Sequence, residues 1–313
     1  MAAIVIAEFM DEDALGILAG HEALYDATLV DRRNELAAAL ADARALIVRN
    51  RTKVDAALLA AAPRLEAVGR LGVGLDNIDV VACKARGIAV YPATGANDAA
   101  VVEYVIAAML VLLRGAFAAT DAVIAGEWPR TKLMGREAGG KRLGLIGFGS
   151  IGRKVGAVAA ALGMDVAAYD PHIAAGDAAW SQPWGKIVKL DLDPLLQTSD
   201  VVSLHVPLTD ETRHLLGRAA IARMKRNAIL INAARGGVAD EAAVAEALRS
   251  GELGGAALDV FAQEPLSKEQ GQIFAGCPNL LLTPHVAGLS IEANTRVSRM
   301  VAEKIRDHLA GGR

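Results

Sequence analysis

Residues 143–170, LGLIGFGSIGRKVGAVAAALGMDVAAYD, constrain this chain more than any other stretch. An apolar run, 143–147, leads into Gly147, Gly149 and Gly152. A helical run from Ile151 to Leu162 begins within the glycines, and a second apolar run, 165–170, ends in Asp170. The spacing GxGxxG alone is weak. Between a strand and a helix, with a following strand that ends in an acid, it specifies a βαβ unit that binds a dinucleotide. Gly147 permits the tight turn, Gly149 lets backbone N–H groups approach a pyrophosphate, and Gly152 lets the helix pack against the strand. The helix N-terminus offers donors and a positive dipole to the phosphates, which makes Ser150 and Ile151 candidate contacts as well. Asp170 is placed to accept from both adenosine ribose hydroxyls. Its charge repels a 2′-phosphate, and the neighbouring PHIAAG has no arginine to hold one, so NAD is favoured over NADP. A glycine turn used only for packing, or for another nucleotide-like ligand such as S-adenosylmethionine, is the competing reading.

The rest of the chain fits this frame. Short apolar runs at 3–8, 45–49, 67–71 and 88–90 alternate with helical runs near 12–19, 34–42, 54–62 and 78–86, and YPATGAND, 91–98, closes this first α/β unit. A long helix is expected over 98–119, followed by a polar surface excursion through 142. Further strands are expected at 201–205, 228–233, 255–260 and 279–283, and a last helix at 290–309. Their near-continuous apolar character implies burial on both faces and a parallel sheet. Hydrophobic residues make up 53% of the chain and aromatics only 4%, which suits such sheets covered by Ala-rich helices.

The same numbers exclude several classes. A net charge of −3 argues against a broad nucleic-acid surface. The two cysteines, Cys83 and Cys277, have no CxxC or metal-type spacing, so no metal is expected and the thiols read as reduced and cytoplasmic. The N-terminus lacks the basic region of a signal peptide. The longest apolar stretch, Val101 to Leu113, contains Glu103 and is too short to span a bilayer. No regulatory domain is expected after the final helix.

Ligands of such sheets bind at the carboxyl ends of the strands. Three polar residues follow strands there: Arg235 in NAARGG, Glu264 in FAQEP and His285 in TPHVAG. Hydride transfer to a 2-keto acid needs a cation for the carboxylate and a proton donor for the carbonyl oxygen. Arg235 supplies a permanently charged fork. His285 can be acid and base, and Glu264 beside the ring would orient it and favour the imidazolium. Each also has a structural reading, and His21, His172, His205, His214 and His308 take that one.

GFGSIGRKV, DVVSLHVPLTDETRHLL, INAARGGVADEAAVAEAL, ALDVFAQEPL and TPHVAGLSIEA, with VGRLGVGLDNIDVVACKARGIAV earlier, resemble the D-isomer-specific 2-hydroxyacid dehydrogenase family over nearly the whole chain. The resemblance implies an α/β protein of two Rossmann- or flavodoxin-like domains with parallel sheets and an active-site cleft between them. Residues 1–97 plus 287–313 would form the substrate domain, and 98–286 the NAD-binding domain. It implies catalytic roles for Arg235, Glu264 and His285, and cofactor contacts at Pro207, Ala233 and Asp259, the last near the nicotinamide carboxamide. It also implies a homodimer built on 98–119 and 120–142.

The substrate is a small anion in this reading. Gly72 and Gly74 let N–H groups near Val73 and Gly74 face a carboxylate. Arg49, Arg51, Lys53 and Arg70 surround this loop in sequence, and Arg49 and Arg70 match positions where family members acting on phosphoglycerate hold its distal phosphate. Phosphate and sulfonate both suit guanidinium forks. D-3-Phosphoglycerate and (S)-sulfolactate both fit and stand level. They share one spatial arrangement at carbon 2, because sulfur changes the priority order and hence the label. An NAD(H)-sensing regulator on the same fold, or a formate- or phosphite-type dehydrogenase, are the rivals. An intact Arg–Glu–His trio opposes the first, and a distal-anion site opposes the second.

Overall fold

The computed structural model describes residues 2–311; Met1, Gly312 and Arg313, which the expected substrate domain includes, lie outside the described residues. The chain divides into two compact units, Met1–Asn97 with Leu289–Arg313, and Asp98–Gly288. The second crossing falls at Leu289 rather than at 287. The reason is local: the Ala287 N–H is bound by Asp259 of the second unit.

Among the described residues, the first unit holds a parallel sheet of β1 (Ile4–Ile6), β2 (Ala23–Tyr25), β3 (Ala45–Val48), β4 (Ala67–Arg70) and β5 (Ala89–Pro92), in the order β2-β1-β3-β4-β5. This is the flavodoxin-like order. β1 and β3 are buried throughout, as their unbroken apolar sequence predicts. β2 was not legible: it is a three-residue edge strand whose Ala23 and Leu24 are exposed. The last helix, Ile291–Leu309, covers one face. Ser290 caps it by accepting from the Ala293 N–H, and Val297, Val301, Ile305 and Leu309 form its buried stripe. Gly69 in β4 makes the approach possible, since a Cβ there would lie 2.6 Å from Cγ1 of Val301.

The second unit holds a parallel sheet of β6 (Arg142–Ile146), β7 (Asp165–Tyr169), β10 (Val188–Lys189), β11 (Val201–Leu204), β12 (Ala228–Asn232), β13 (Leu253–Leu258) and β14 (Leu280–Leu282), with a small separate hairpin of β8 (Ser181–Gln182) and β9 (Gly185–Lys186). The order is β10-β7-β6-β11-β12-β13-β14. The chain runs outward from β6 through β7 to β10, then returns to β11 on the other side of β6. That reversal is the switch point at which such sheets bind ligands. The helix expected over 98–119 stops at Arg114. Gly115, in the left-handed region with φ 60°, ends it, and a 3₁₀ turn (Ala116–Ala119) and a short helix (Thr120–Ile124) follow. No single helix among the described residues is long and apolar enough to cross a membrane.

Candidate active site

The carboxyl ends of β6 and β7 build a cradle. Gly147 has φ 92°, and a Cβ there would lie 2.4 Å from the carbonyl oxygen of His205. A Cβ on Gly152 would lie 2.5 Å from the Gly147 carbonyl oxygen. Both glycines are therefore required by close backbone approach. Gly149 differs: a Cβ there meets nothing within 4 Å, so its missing side chain leaves space beside the first turn of the Ser150–Ala161 helix. No side chain caps that helix N-terminus, and its first N–H groups, at Ser150, Ile151 and Gly152, stay available to an anion. Asp170 follows β7. Its carboxylate accepts from the Phe148 N–H at 2.9 Å and the His172 N–H at 3.0 Å, which fixes it beside the glycine turn with further acceptor capacity. These features fit the pyrophosphate and adenosine ribose of NAD. The Ser150 hydroxyl itself donates to the buried Asp98 carboxylate, which also receives Lys154 Nζ at 2.7 Å. Asp98 opens the Asp98–Arg114 helix and was not foreseen.

Pro207 follows β11 and is exposed, and Ala233 follows β12 and is half-buried. Arg235, Glu264 and His285 follow β12, β13 and β14, three neighbouring parallel strands, so they share one sheet edge. Nδ1 of His285 lies 2.6 Å from Oε2 of Glu264. Burial raises the Glu264 carboxyl. The His285 and Phe261 hydrogen bonds, with the charges of His285 and Arg235, outweigh it and hold the group below its usual value. Arg235 is thus close enough to act on Glu264 electrostatically. Its own loop is closed by the buried Asn232, whose amide donates to the Arg235 carbonyl at 2.9 Å and accepts from the Ala234 N–H at 3.1 Å.

The loops are locked to each other. A Cβ on Gly236 would lie 1.8 Å from the Phe261 carbonyl oxygen, so the Arg235 loop rests directly on the Glu264 loop. Glu241 binds the Ala262 N–H at 2.5 Å from outside. Asp259, buried at the end of β13, joins the Glu264 loop to the His285 loop. Its carboxylate accepts from the N–H groups of Val286 and Ala287, each at 2.8 Å. Asn232 and Asp259 had a readable signal, a polar residue at the end of an apolar strand. Gly236 and Glu241 had none, because their partners are distant in sequence.

His205 takes no part in this trio. Its ring meets Ser203 Oγ at 3.0 Å, and burial pushes its pKa down to about 4.

The first unit gathers the other candidates at the ends of β3 and β4. Arg49 Nη2 donates to Oδ1 of Asn294 at 2.7 Å and Nη1 to the Phe9 carbonyl at 3.3 Å. Burial pulls this guanidinium down from its ordinary value, and the charge of Glu8 opposes that. Glu8, 4% exposed and unanticipated, accepts from the N–H groups of Arg49 (2.8 Å), Thr52 (2.9 Å) and Arg51 (3.2 Å) and so shapes this loop. Arg70 folds over the glycine turn: a Cβ on Gly72, at φ 154°, would lie 1.4 Å from Arg70 Nη1. Val73 and Gly74 are half-buried in the same turn. Arg51 instead pairs with Asp31 at the surface.

Comparison with known proteins agrees with this geometry. The family model described as D-isomer specific 2-hydroxyacid dehydrogenase, NAD binding domain, matches residues 106–287. The chain is 50% identical to an (S)-sulfolactate dehydrogenase of Chromohalobacter salexigens over 308 residues, 98% of each chain. It is 40% identical to a D-3-phosphoglycerate dehydrogenase of Archaeoglobus fulgidus, covering 96% of this chain and 56% of that one. The solved D-lactate dehydrogenase of Aquifex aeolicus, in complex with NAD and lactic acid, superposes with a TM-score of 0.86 at 27% identity, over 99% of this chain and 96% of that one. The chain belongs to the D-isomer-specific 2-hydroxyacid dehydrogenases, NAD-dependent oxidoreductases, and residues 106–287 carry the family's NAD-binding domain.

Proposed function

We propose that the protein interconverts (S)-sulfolactate and its 2-keto acid, with Arg235, Glu264 and His285 as the catalytic group. The 2.6 Å contact between Glu264 and His285 Nδ1 carries the reading. With Nδ1 engaged, Nε2 is the ring nitrogen left for the substrate oxygen. NAD, which the Gly147–Gly152 turn and Asp170 would hold, would supply hydride exchange at carbon 2. His285 removes the hydroxyl proton in oxidation and supplies it in reduction. Glu264 orients the ring and compensates its charge. Arg235 binds the carboxylate through its guanidinium fork. Arg49 and Arg70 serve the distal sulfonate, with the Val73–Gly74 turn supplying N–H donors. The 50% identity to a sulfolactate dehydrogenase, against 40% to the Archaeoglobus phosphoglycerate dehydrogenase, supports the sulfonate. D-3-Phosphoglycerate is the second reading, because the same guanidinium pair suits its phosphate.

Contacts of Pro207, Ala233 and Asp259 with the cofactor, a homodimer and a cytoplasmic location belong to the same proposal. Exposed Phe117, Ile124, Trp128 and Met134 in the stretch after Gly115 support a dimer contact. The test is NADH formation by the purified protein with each acid, using His285→Ala as control. Turnover of sulfolactate, abolished in the control, is the expected result. Turnover of phosphoglycerate alone would replace the substrate assignment, and turnover of neither would overturn the distal-anion reading.

A further inference from the structure

His285 stands in the left-handed region, with φ 56°, which a non-glycine residue holds only where its surroundings impose it. Asp259 supplies that restraint. Its main-chain carbonyl accepts the His285 N–H at 2.7 Å. Its carboxylate accepts from Val286 and Ala287, as described, and from Thr283 Oγ1 at 2.6 Å. Thr283 has one hydroxyl proton, and that proton is directed to Asp259. The Tyr104 hydroxyl lies 2.6 Å from the same Thr283 oxygen, so Tyr104 must be the donor in that contact. Burial raises the Tyr104 phenol, the Thr283 bond opposes this and the Asp259 charge adds to it, and the net rise keeps the proton on the donor.

The bonds therefore run in one direction, from Tyr104 to Thr283 to Asp259. They tie the Asp98–Arg114 helix to the loop that carries His285. We propose that Tyr104 and Thr283 are positioning residues for proton transfer: their hydroxyls hold the Asp259 carboxylate in the one orientation that fixes residues 283–287 and aims the imidazole. Neither residue touches substrate in this role. The inference rests on His285 as the proton carrier.

The test compares Tyr104→Phe, Thr283→Val, Thr283→Ser and the Tyr104→Phe/Thr283→Val double variant. Four quantities are read: kcat against KM, NADH affinity, amide exchange at Val286 and Ala287, and the melting temperature. In Tyr104→Phe, kcat is expected to fall roughly three- to tenfold, the effect of one lost hydrogen bond, while KM for the acid holds. Amide exchange at 286 and 287 should quicken while the global melting temperature stays near wild type. Thr283→Ser should retain activity where Thr283→Val loses it. The double variant should be no worse than Thr283→Val alone, because the chain of bonds passes through Thr283. Wild-type kcat and exchange in Tyr104→Phe would overturn the proposal. So would Thr283→Ser as impaired as Thr283→Val, or a loss confined to NADH affinity with kcat unchanged. If Tyr104→Phe does not fold, the Thr283 pair decides. If the wild type turns over neither acid, the substrate reading fails and amide exchange still decides the relay.

Discussion

Glu264 and His285 are 21 residues apart in the chain, yet Oε2 of one lies 2.6 Å from Nδ1 of the other. The contact exists because β13 and β14 are parallel neighbours in register, with Leu258 opposite Leu282, and both loops leave the same edge. Glu264→Gln keeps the shape and removes the charge. We expect kcat to fall about ten- to a hundredfold with NADH affinity unchanged, less than the loss in His285→Ala, where general acid–base help worth roughly a hundredfold or more disappears. Steady-state kinetics with fluorescence titration of NADH checks both.

The depressed Glu264 carboxyl also predicts a pH effect. Its folded value lies below the ordinary 4.5, so its contribution to stability is present above that pH and is lost as the pH falls through the folded value. Melting curves of wild type and Glu264→Gln should differ above pH 4.5 and converge below it. Curves that diverge further on acidification would contradict the assignment.

His205 acts at higher pH. Burial lowers it from 6.5 to about 4, so the unfolded chain takes up its proton first as the pH drops. Its contribution is full above 6.5 and declines toward 4. The loss is about 3 kcal/mol by the shift alone, and smaller to the extent that the ring meets solvent. His205→Asn should flatten the stability profile across this window in urea titrations.

Gly149 and Gly152 should separate binding from folding. Gly149→Ala meets no atom of the chain within 4 Å and Gly149 has φ −76°, so the melting temperature should hold while NADH affinity falls. Gly152→Ala places a methyl 2.5 Å from the Gly147 carbonyl and should lose both. Calorimetry of the two variants with and without NADH distinguishes them.

Arg49→Ala should raise KM for sulfolactate while leaving turnover of D-lactate, which has no distal anion, little changed. The expected rise is roughly tenfold or more, the scale of a charge-assisted hydrogen bond. An equal loss on both substrates would assign Arg49 to loop structure, through Asn294 and Phe9, instead.

Much of this protein was legible in the chain itself. The run from Leu143 to Asp170 carries its own turn, helix start and acid, although Gly147 also makes room for the His205 carbonyl and Ser150 bonds the distant Asp98. Arg235, Glu264 and His285 were legible as polar residues after apolar strands, because a parallel sheet sends all such positions to one edge. Local chemistry also misled: the apolar pattern suggested one helix to residue 119, but Gly115 ends it in a left-handed turn.

The tertiary structure alone decided what holds those residues in place. Glu8 binds three N–H groups more than 40 positions away, Tyr104 reaches Thr283 across 179 residues, and Gly236 must be glycine because the Phe261 carbonyl is there. None of these has a periodicity or a spacing to read. Short-range sterics and hydrophobic periodicity determine which elements form and which end of each strand bears chemistry. The orientation of the reactive groups depends on buried polar contacts between distant segments, which exist only once the sheets have assembled.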